Sequence, residues 1–302
     1  MSIWRRYWQV KKQVQADITM DQQSSNQQIW RNFKRHKLAV ISLYFMVLVS
    51  LIAIFAPLIA PYHPHAMTES FGASPSWSHW LGTDQIGRDQ LSRIFYGARV
   101  SLTVGLLSVL IATAIGTVLG LLSGYLGGWV DQVIMRVTDM FMSFPYIMLI
   151  LVVAAIVGPG LTNIIVILGV LGWPAVARLV RGNVLSLKQT EYVRAAQALG
   201  YSTPRILFKH MLPNTVAPIL IYATSGVAAA ILDEAALSFL GLGVQPPDAS
   251  WGNMLSSAKS LSVLTTQPWL WIPPGIMILL TVLAINFIGD ALRDAYDPRN
   301  SK

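Results

Sequence analysis

The 302-residue chain contains no cysteine, which excludes disulfides, thiolate nucleophiles and cysteine-ligated metal sites. Charged residues are also scarce, because they make up 12% of the chain against about 25% in soluble domains. Apolar residues make up 54% and the mean hydropathy is +0.52. An ordinary soluble enzyme and a disordered chain are both excluded by this balance. The composition indicates an integral membrane protein.

The chain also lacks the common nucleotide-binding and catalytic motifs. No G-x-x-x-x-G-K-[ST], H-E-x-x-H or G-x-S-x-G pattern is present. We therefore expect a non-catalytic chain that binds no cofactor or metal of its own. His63, His65 and His79 share one loop, but Pro64 separates the first two and no acidic cluster lies near, so we interpret them as ordinary loop residues.

Six apolar stretches are long enough to cross a bilayer core of about 30 Å. They are residues 38–60, 100–126, 140–157, 158–177, 215–232 and 269–289. Lipid leaves only helices and closed barrels, and strict apolar/polar alternation is absent. We predict an all-α integral membrane fold with six transmembrane helices, in which only Gly158–Gly160 separates the third span from the fourth.

Lysine and arginine are distributed very unevenly between the loops of this six-helix topology. Eighteen fall on one side, in segments 1–37, 125–139, 178–214 and 290–302, and four on the other. The positive-inside rule then predicts that both termini are cytoplasmic. The predicted regions are an N-terminal segment (1–37), a first transmembrane helix (38–60), an extracytoplasmic loop (61–99), a five-helix core (100–289) and a cytoplasmic tail (290–302). Basic residues spread in this way also argue against a nucleic-acid partner.

The segment Ile29–Lys37 mixes two aromatic residues with four basic ones just before the first span. This composition favours a helix lying in the headgroup plane of the bilayer. The alternative is a simple basic flank that stops translocation.

Glycine recurs every four residues at Gly116, Gly120, Gly124 and Gly128. Four-residue spacing places them on one helix face, where missing side chains let another backbone approach closely. The pattern predicts a tightly packed neighbouring helix, either in this chain or in a partner.

Asp233 and Glu234 interrupt the apolar run of the fifth span. Acidic residues at membrane depth usually face a water-filled path or a partner, so both are candidates for the wall of a translocation path. The alternative is that the helix ends there, near the outer interface, and that the following apolar residues form a surface or re-entrant stretch.

The basic loop at 190–214, between spans four and five, has the pattern of a helical hairpin. Glu191–Leu199 is rich in helix formers, and Gly200 suits the position after a helix end. Ser202 and Pro204 suit the start of a second helix, which we expect to run to the Leu-Pro pair at 212–213. Such a hairpin fits a groove on a partner, although composition alone also allows a plain connecting loop.

The spacing within this loop closely resembles the EAA loop of ABC-transporter permeases. Ala195 and Ala196 are followed by three residues, then Gly200, then nine residues, then the His-Met-Leu-Pro stretch at 210–213. Arg194 stands where the family motif has Glu, and His210 where it has Ile. Further stretches are similar to the C-type permease subunit of the dipeptide and oligopeptide importers, and they are Leu81–Leu102, Gly124–Asp131, Asp233–Gly243 and Asn286–Pro298.

The resemblance implies a permease subunit of an ABC importer in a bacterial cell membrane, with a type I, MetI-like fold. It implies three kinds of partner: a homologous B-type permease, two cytoplasmic subunits that bind ATP and Mg²⁺, and an extracytoplasmic substrate-binding protein. The residues expected to contact the ATPase are Glu191, Arg194, Ala195, Ala196, Gly200, His210, Leu212 and Pro213.

Two questions stay open at the level of the sequence. Asp84, Arg88, Asp89 and Arg93 of the outer loop fit contacts to the binding protein or to the neighbouring permease. Permeases that resemble this one serve dipeptides, longer oligopeptides, nickel or metal chelates, glutathione and other small solutes, and nothing in the sequence chooses among them. The rival interpretation of the whole chain is an ion-coupled secondary transporter or a channel subunit.

Overall fold

A computed structural model describes residues 30–31 and 33–296, and within these ranges the chain is helical, with no β-strand. The helices are α1 (Lys37–Ile59), α2 (Gln90–Leu126), α3 (Gly128–Met142), α4 (Tyr146–Val157), α5 (Leu161–Leu187), α6 (Glu191–Ala198), α7 (Leu212–Leu240), α8 (Trp251–Leu255), α9 (Leu261–Thr266) and α10 (Ile272–Tyr296). A helical turn (Thr203–Ile206) and a π-helical stretch (Leu207–Met211) lead directly into α7.

Five helices are long and apolar enough to cross a membrane: α1, α2, α5, α7 with its lead-in, and α10. A sixth span arises if α3 and α4 count as one, but these two helices meet at 85°. The predicted third span at 140–157 is therefore wrong as a single straight helix. Pro145 lies at the bend, where its ring removes an amide donor and disfavours helical geometry in the residue before it.

Helix α2 begins ten residues earlier than the apolar run at Val100 predicts. The Asp89 carboxylate accepts a hydrogen bond from the Ser92 amide at 2.8 Å and so caps the helix at its first turn. The last ten residues of the predicted 61–99 loop are thus helical. At the other terminus, α10 continues to Tyr296, well into the predicted tail.

Helix α7 also runs on where the sequence suggests an end. The acidic pair at 233–234 lies inside the helix, which closes only at Gly241, a residue in the left-handed region with φ +90°. Pro213 does not end the preceding segment either, because a proline in the first turn of a helix has no amide partner to lose. The expected hairpin is therefore one short helix followed by the beginning of a long one.

The core of the bundle is a seam between α2 and α5. Gly116, Gly120 and Gly124 point at α5 so closely that a Cβ atom on Gly120 would lie 2.7 Å from the Ala177 carbonyl oxygen. The α5 side chains opposite the three glycines are Val176, Val180 and Val184. Gly128 does not belong to the series, since it lies beyond the end of α2 and has nothing within 4 Å of a Cβ position.

The N-terminal segment lies largely outside the described residues, as do positions 297–302. Of the predicted interfacial stretch, residues 30–31 and 33–35 are helical. Phe33 is buried in a small cluster with Ala39 of α1 and Ala291 of α10.

Candidate functional site

Helix α6 lies at the end of the bundle where α2 and α5 finish, and it presents two different faces. Val193 and Ala196 are buried, and they pack against α5 and the π-helical stretch in a cluster that includes Val184, Ile206 and Met211. The remaining residues of α6, including Glu191, Arg194 and Ala195, are exposed. One apolar stripe therefore attaches the helix, and the rest of its surface is open for contact.

The turn after α6 is closed by a Schellman motif. The Tyr201 amide donates to the Ala196 carbonyl oxygen at 3.1 Å, and the Gly200 amide donates to the Gln197 carbonyl oxygen at 3.0 Å. Gly200 has φ +72°, in the left-handed region where a side chain is strained. A Cβ atom there would meet nothing within 4 Å. Glycine is required by the backbone at this position, while the surrounding space is free.

The structure separates the residues that the loop motif groups together. The His210 ring lies over Tyr201, with centroids 6.0 Å apart, and the Arg205 guanidinium sits 4.2 Å from the Tyr201 ring centroid. Leu212 is half-buried against the cluster beneath α6, and Pro213 is exposed at the start of α7. Of the stretch 210–213, only Met211 and Leu212 thus belong to the apolar cluster beneath α6.

Arg194, which stands where the family motif has Glu, bonds within its own segment. Its guanidinium donates to the side-chain carbonyl oxygen of Gln189, just before α6. Lys188 donates to the Tyr125 carbonyl oxygen at 2.8 Å, and Gln197 reaches the Tyr125 hydroxyl at 3.5 Å. The end of α2 is thus bonded to α6 through Gln197 and to the end of α5 through Lys188.

A charged tether at the same end was not singled out from the sequence. Asp131 of α3 accepts two hydrogen bonds from Arg181 of α5, both 2.6 Å long, and a third from the Ser123 hydroxyl of α2. Three helices meet at this carboxylate. Asp131 falls within Gly124–Asp131, one of the stretches that resemble the C-type permease subunit. Its partner Arg181 lies 50 residues away, so sequence spacing did not indicate that the two residues pair.

Glu234 is fully buried and has its hydrogen bonds inside the chain. Its carboxylate accepts from the Ser238 hydroxyl at 2.7 Å and from the Ser101 hydroxyl of α2 at 3.1 Å. Ser101 in turn accepts from the Trp251 amide of α8, at 3.3 Å. Glu234 therefore ties α7 to α2 and to the segment after α7, and it does not line the internal cavity described next.

Asp233 instead faces a cavity of about 510 Å³ between α2, the bend from α3 to α4, α5 and α7. Most of the lining is apolar, with Phe141 and Phe144 at the bend. The polar side chains in the wall are Ser108, Thr113, Tyr146, Tyr222 and Asp233. The two acids that the sequence proposes as a pair thus have separate environments. The sequence did not single out the two tyrosines or the two hydroxyls, because they come from three different helices.

At the opposite end of the bundle, the segment 60–89 folds over the start of α2. Asp89 is buried, and its carboxylate lies 2.8 Å from His79 Nδ1. Arg93 is buried too, and its Nη1 donates to the carbonyl oxygens of Pro64 and Pro247 at 3.4 and 3.3 Å. These residues hold their own loop in place.

Two more charged residues of the outer loop, Asp84 and Arg88, are paired with each other. The Arg88 Nε donates to the Asp84 carboxylate at 2.6 Å. His65 lies 3.5 Å from the Asp248 carboxylate, and the His63 and His65 rings meet edge to face. Within residues 30–31 and 33–296, no group of three His, Asp or Glu side chains is arranged to hold a metal ion.

Two family models match this chain. One is described as a binding-protein-dependent transport system inner membrane component, and it matches residues 116–302. The other, the N-terminal transmembrane domain of oligopeptide transport permease C, matches residues 24–74.

Two relatives and one solved structure give the same picture. The chain is 44% identical over 272 residues to the dipeptide transport system permease protein DppC of Alkalihalophilus pseudofirmus, covering 89% of this chain and 88% of the relative. It is also 44% identical over 274 residues to the glutathione transport system permease protein GsiD of Shigella flexneri serotype 5b, covering 90% of each.

The solved structure is that of the MetNI methionine ABC transporter in inward-facing conformations. A chain of it aligns with a TM-score of 0.55 at 21% identity, covering 68% of this chain and 97% of that one. At this identity the likeness concerns the fold alone. It confirms the predicted all-α, MetI-like permease fold.

Proposed function

Because the chain belongs to the family of binding-protein-dependent transport system inner membrane components, we propose that it is the C-type permease of a peptide importer. Membership of this family shows that the chain is an ABC importer permease, and this confirms the resemblance found in the sequence. The ion-coupled alternative is not favoured by these relatives. Peptides are the proposed cargo because relatives at 44% identity are named for a dipeptide and for glutathione, itself a peptide.

The observation that carries the coupling role is the exposed face of α6. A short helix, attached by Val193 and Ala196 and closed by Gly200, stands at one end of a bundle of membrane-length helices. Its free surface places the small side chains of Ala195 and Ala198 among larger polar ones, such as Glu191 and Arg194, so a partner can both approach and form hydrogen bonds there. We assign the ATPase contact to this face. Leu212 packs in the cluster beneath it, His210 stacks on Tyr201, and Pro213 is exposed at the start of α7.

The proposed assembly contains a homologous B-type permease, two cytoplasmic ATP-binding subunits and an extracytoplasmic binding protein. ATP and Mg²⁺ belong to the ATPase subunits, which supply the energy that this chain has no motif to capture. Both termini and α6 then lie in the cytoplasm of a bacterial cell, as the excess of Lys and Arg in those segments favours. The segment 60–89 faces outward, where the binding protein delivers its cargo.

The composition of the assembly is tested by purification. The tagged chain is extracted gently from native membranes, and the co-purifying chains are identified by mass spectrometry. We expect a second permease and one or two ATPases that carry a phosphate-binding loop. Recovery of this chain alone, or only with itself, would contradict the proposal.

The coupling face is tested by cross-linking, which the absence of cysteine makes simple. We expect Ala195→Cys, on the exposed face, to form a cross-link with an ATPase subunit through a short reagent that joins the new thiol to a lysine amine of that subunit. The control is Leu261→Cys, which is exposed in α9 near the opposite end. Equal cross-linking at both positions, or at neither, would remove α6 from the ATPase interface.

A further inference from the structure

The cavity of about 510 Å³ beside α7 is open on one side, and it has one charged wall residue, Asp233 of α7. This carboxylate is half-buried and lies seven residues before the end of α7, roughly 10 Å along the helix axis. Across residues 30–31 and 33–296, it has neither a hydrogen-bond donor nor a basic side chain as partner. A carboxylate in an apolar surrounding is costly unless a cation or donors compensate it. The position is thus built to receive positive charge from outside the chain.

Two hydroxyl groups in the same wall are also without partners. The Ser108 side chain is 2% exposed, and its hydroxyl has no hydrogen-bond partner in the described part of the chain. The same holds for the Thr113 hydroxyl, about one and a half turns further along α2. Buried hydroxyls are normally satisfied, and an exception in a cavity wall calls for an explanation. Both oxygens lie beneath the cavity surface, and Ser108 is seven residues along α2 from Ser101, the partner of Glu234, or roughly 10 Å. They therefore mark unsatisfied polar groups further along the cavity wall, and Asp233 alone is the contact for a cation.

Two aromatic rings complete the lining, Tyr146 from the start of α4 and Tyr222 from α7. The Tyr146 hydroxyl lies beside Gly172 of α5, since a Cβ atom on that glycine would be 3.8 Å from the hydroxyl oxygen. Tyrosine faces attract ammonium groups through their electron-rich ring surface. The lining contains no lysine, arginine or histidine to oppose a cation.

We propose that this cavity is a transient binding site for the protonated amino group of a peptide, with Asp233 as its counter-ion. The inference rests on the proposed peptide-import function. Glu234, the adjacent acid, takes no part, because its oxygens are already used by Ser101 and Ser238. The site binds the primary ammonium group and makes no specific contact with the peptide side chains, so that peptides of different sequence can use the same path.

The first experiment measures the electrostatic field of Asp233 without any transport. Ala229 lines the cavity one helical turn before Asp233, and Ala229→Cys introduces the only thiol in this chain. In the purified complex, we expect a cationic methanethiosulfonate to react faster than an anionic one by about tenfold or more. Asp233→Asn in the same background should remove most of that preference. The reference position is Leu232→Cys, which is exposed outside the cavity.

The second experiment uses a peptide. An excess of L-alanyl-L-alanine should slow the labelling of Ala229→Cys when Asp233 is present, and should protect much less in the Asp233→Asn background. N-acetyl-alanyl-alanine, which has no ammonium group, should give little protection in either background. Equal protection by the two peptides, or equal protection by L-alanyl-L-alanine with Asp233 and with Asp233→Asn, would overturn the proposal.

Uptake by the wild-type complex in proteoliposomes separates this inference from the proposed function. If free-amine peptides are imported but labelling shows no role for Asp233, only the ammonium site fails. If no peptide is imported, while other cargo is, the peptide function itself fails. For transport, we expect Asp233→Asn to lower the maximal uptake rate of L-alanyl-L-alanine several-fold, with Asp233→Glu retaining most of it.

Discussion

Glycine serves opposite purposes in the α2–α5 seam and in the turn after α6. In the seam, Gly116, Gly120 and Gly124 have ordinary helical geometry and no room for a side chain. After α6, Gly200 has ample room, and it is the left-handed backbone that requires glycine. The first region is packed as a rigid element, and the second is a hairpin attached by a narrow apolar stripe.

The contrast separates stability from coupling. A fixed seam gives the bundle a body that can move as a unit, since closely packed helices do not deform continuously. An exposed helix on that body can transmit force only if its own geometry is held. Hydrogen bonds through Gly200 and the carboxylate of Asp131 supply that hold at the α6 end. Four substitutions test this division, in order of decreasing expected effect.

The largest effect is expected from Gly120→Leu in the seam. The new side chain would collide with the Ala177 carbonyl oxygen and with Val180, both 2.7 Å from the Cβ position. Overpacking of this kind costs about 1–3 kcal/mol or more, so folded yield and the thermal midpoint in detergent should both fall. Gly182→Leu is the matched control on α5, because nothing lies within 4 Å of its Cβ position. Equal loss in both variants would mean that the seam is not specially packed.

Arg181→Gln should follow, because it breaks the tether between three helices. The substitution removes two hydrogen bonds of 2.6 Å and leaves the partly buried Asp131 without its counter-charge. We expect a loss of about 1–3 kcal/mol, measured as a lower thermal midpoint of the purified chain. Asp131→Asn combined with Arg181→Gln should lose less than the sum of the single variants. Strict additivity would show that the pair is not coupled.

Gly200→Val should lower the stability of the chain less than the two preceding substitutions, but it should impair coupling to the ATPase more. A β-branched residue at φ +72° is strained by about 1–2 kcal/mol, and the strain falls on a turn outside the seam. We expect near-normal amounts of folded chain, together with loss of the ATP hydrolysis that the loaded binding protein stimulates. Gly200→Asn is the control, since asparagine tolerates left-handed geometry better. Normal stimulation of ATP hydrolysis in the valine variant would show that this turn does not contribute to the ATPase contact.

The smallest effect is expected from Arg178→Gln. Arg178 and Asp139 form one bond of 2.7 Å, but about half of each side chain is exposed. Exposed ion pairs contribute about 0–1 kcal/mol, so the thermal midpoint should hardly change. A loss as large as that of Arg181→Gln would contradict the interpretation of this pair as an exposed and weak one.

Much of the bundle is readable from local patterns. Apolar length predicts the spans, because every backbone amide in lipid must be satisfied within its own helix. Local signals also predict α6 and its closing Gly200, since helix ends depend on neighbours within a few residues. Among the predictions that were wrong for want of tertiary information are the straight span across Pro145, the start of α2 at Val100, and the place of Gly128 in the seam.

The sequence by itself determined the membrane class, the number of apolar segments and the loop that marks the family, because these depend on composition and short spacing. Only the tertiary structure decided that Glu234 is a bonded core residue while Asp233 faces a cavity. Adjacent residues on a helix are about 100° apart, so which one faces a neighbour depends on how the helix is rotated. That rotation is set by packing against α2, α5 and α10, whose residues lie far from Asp233 in the chain.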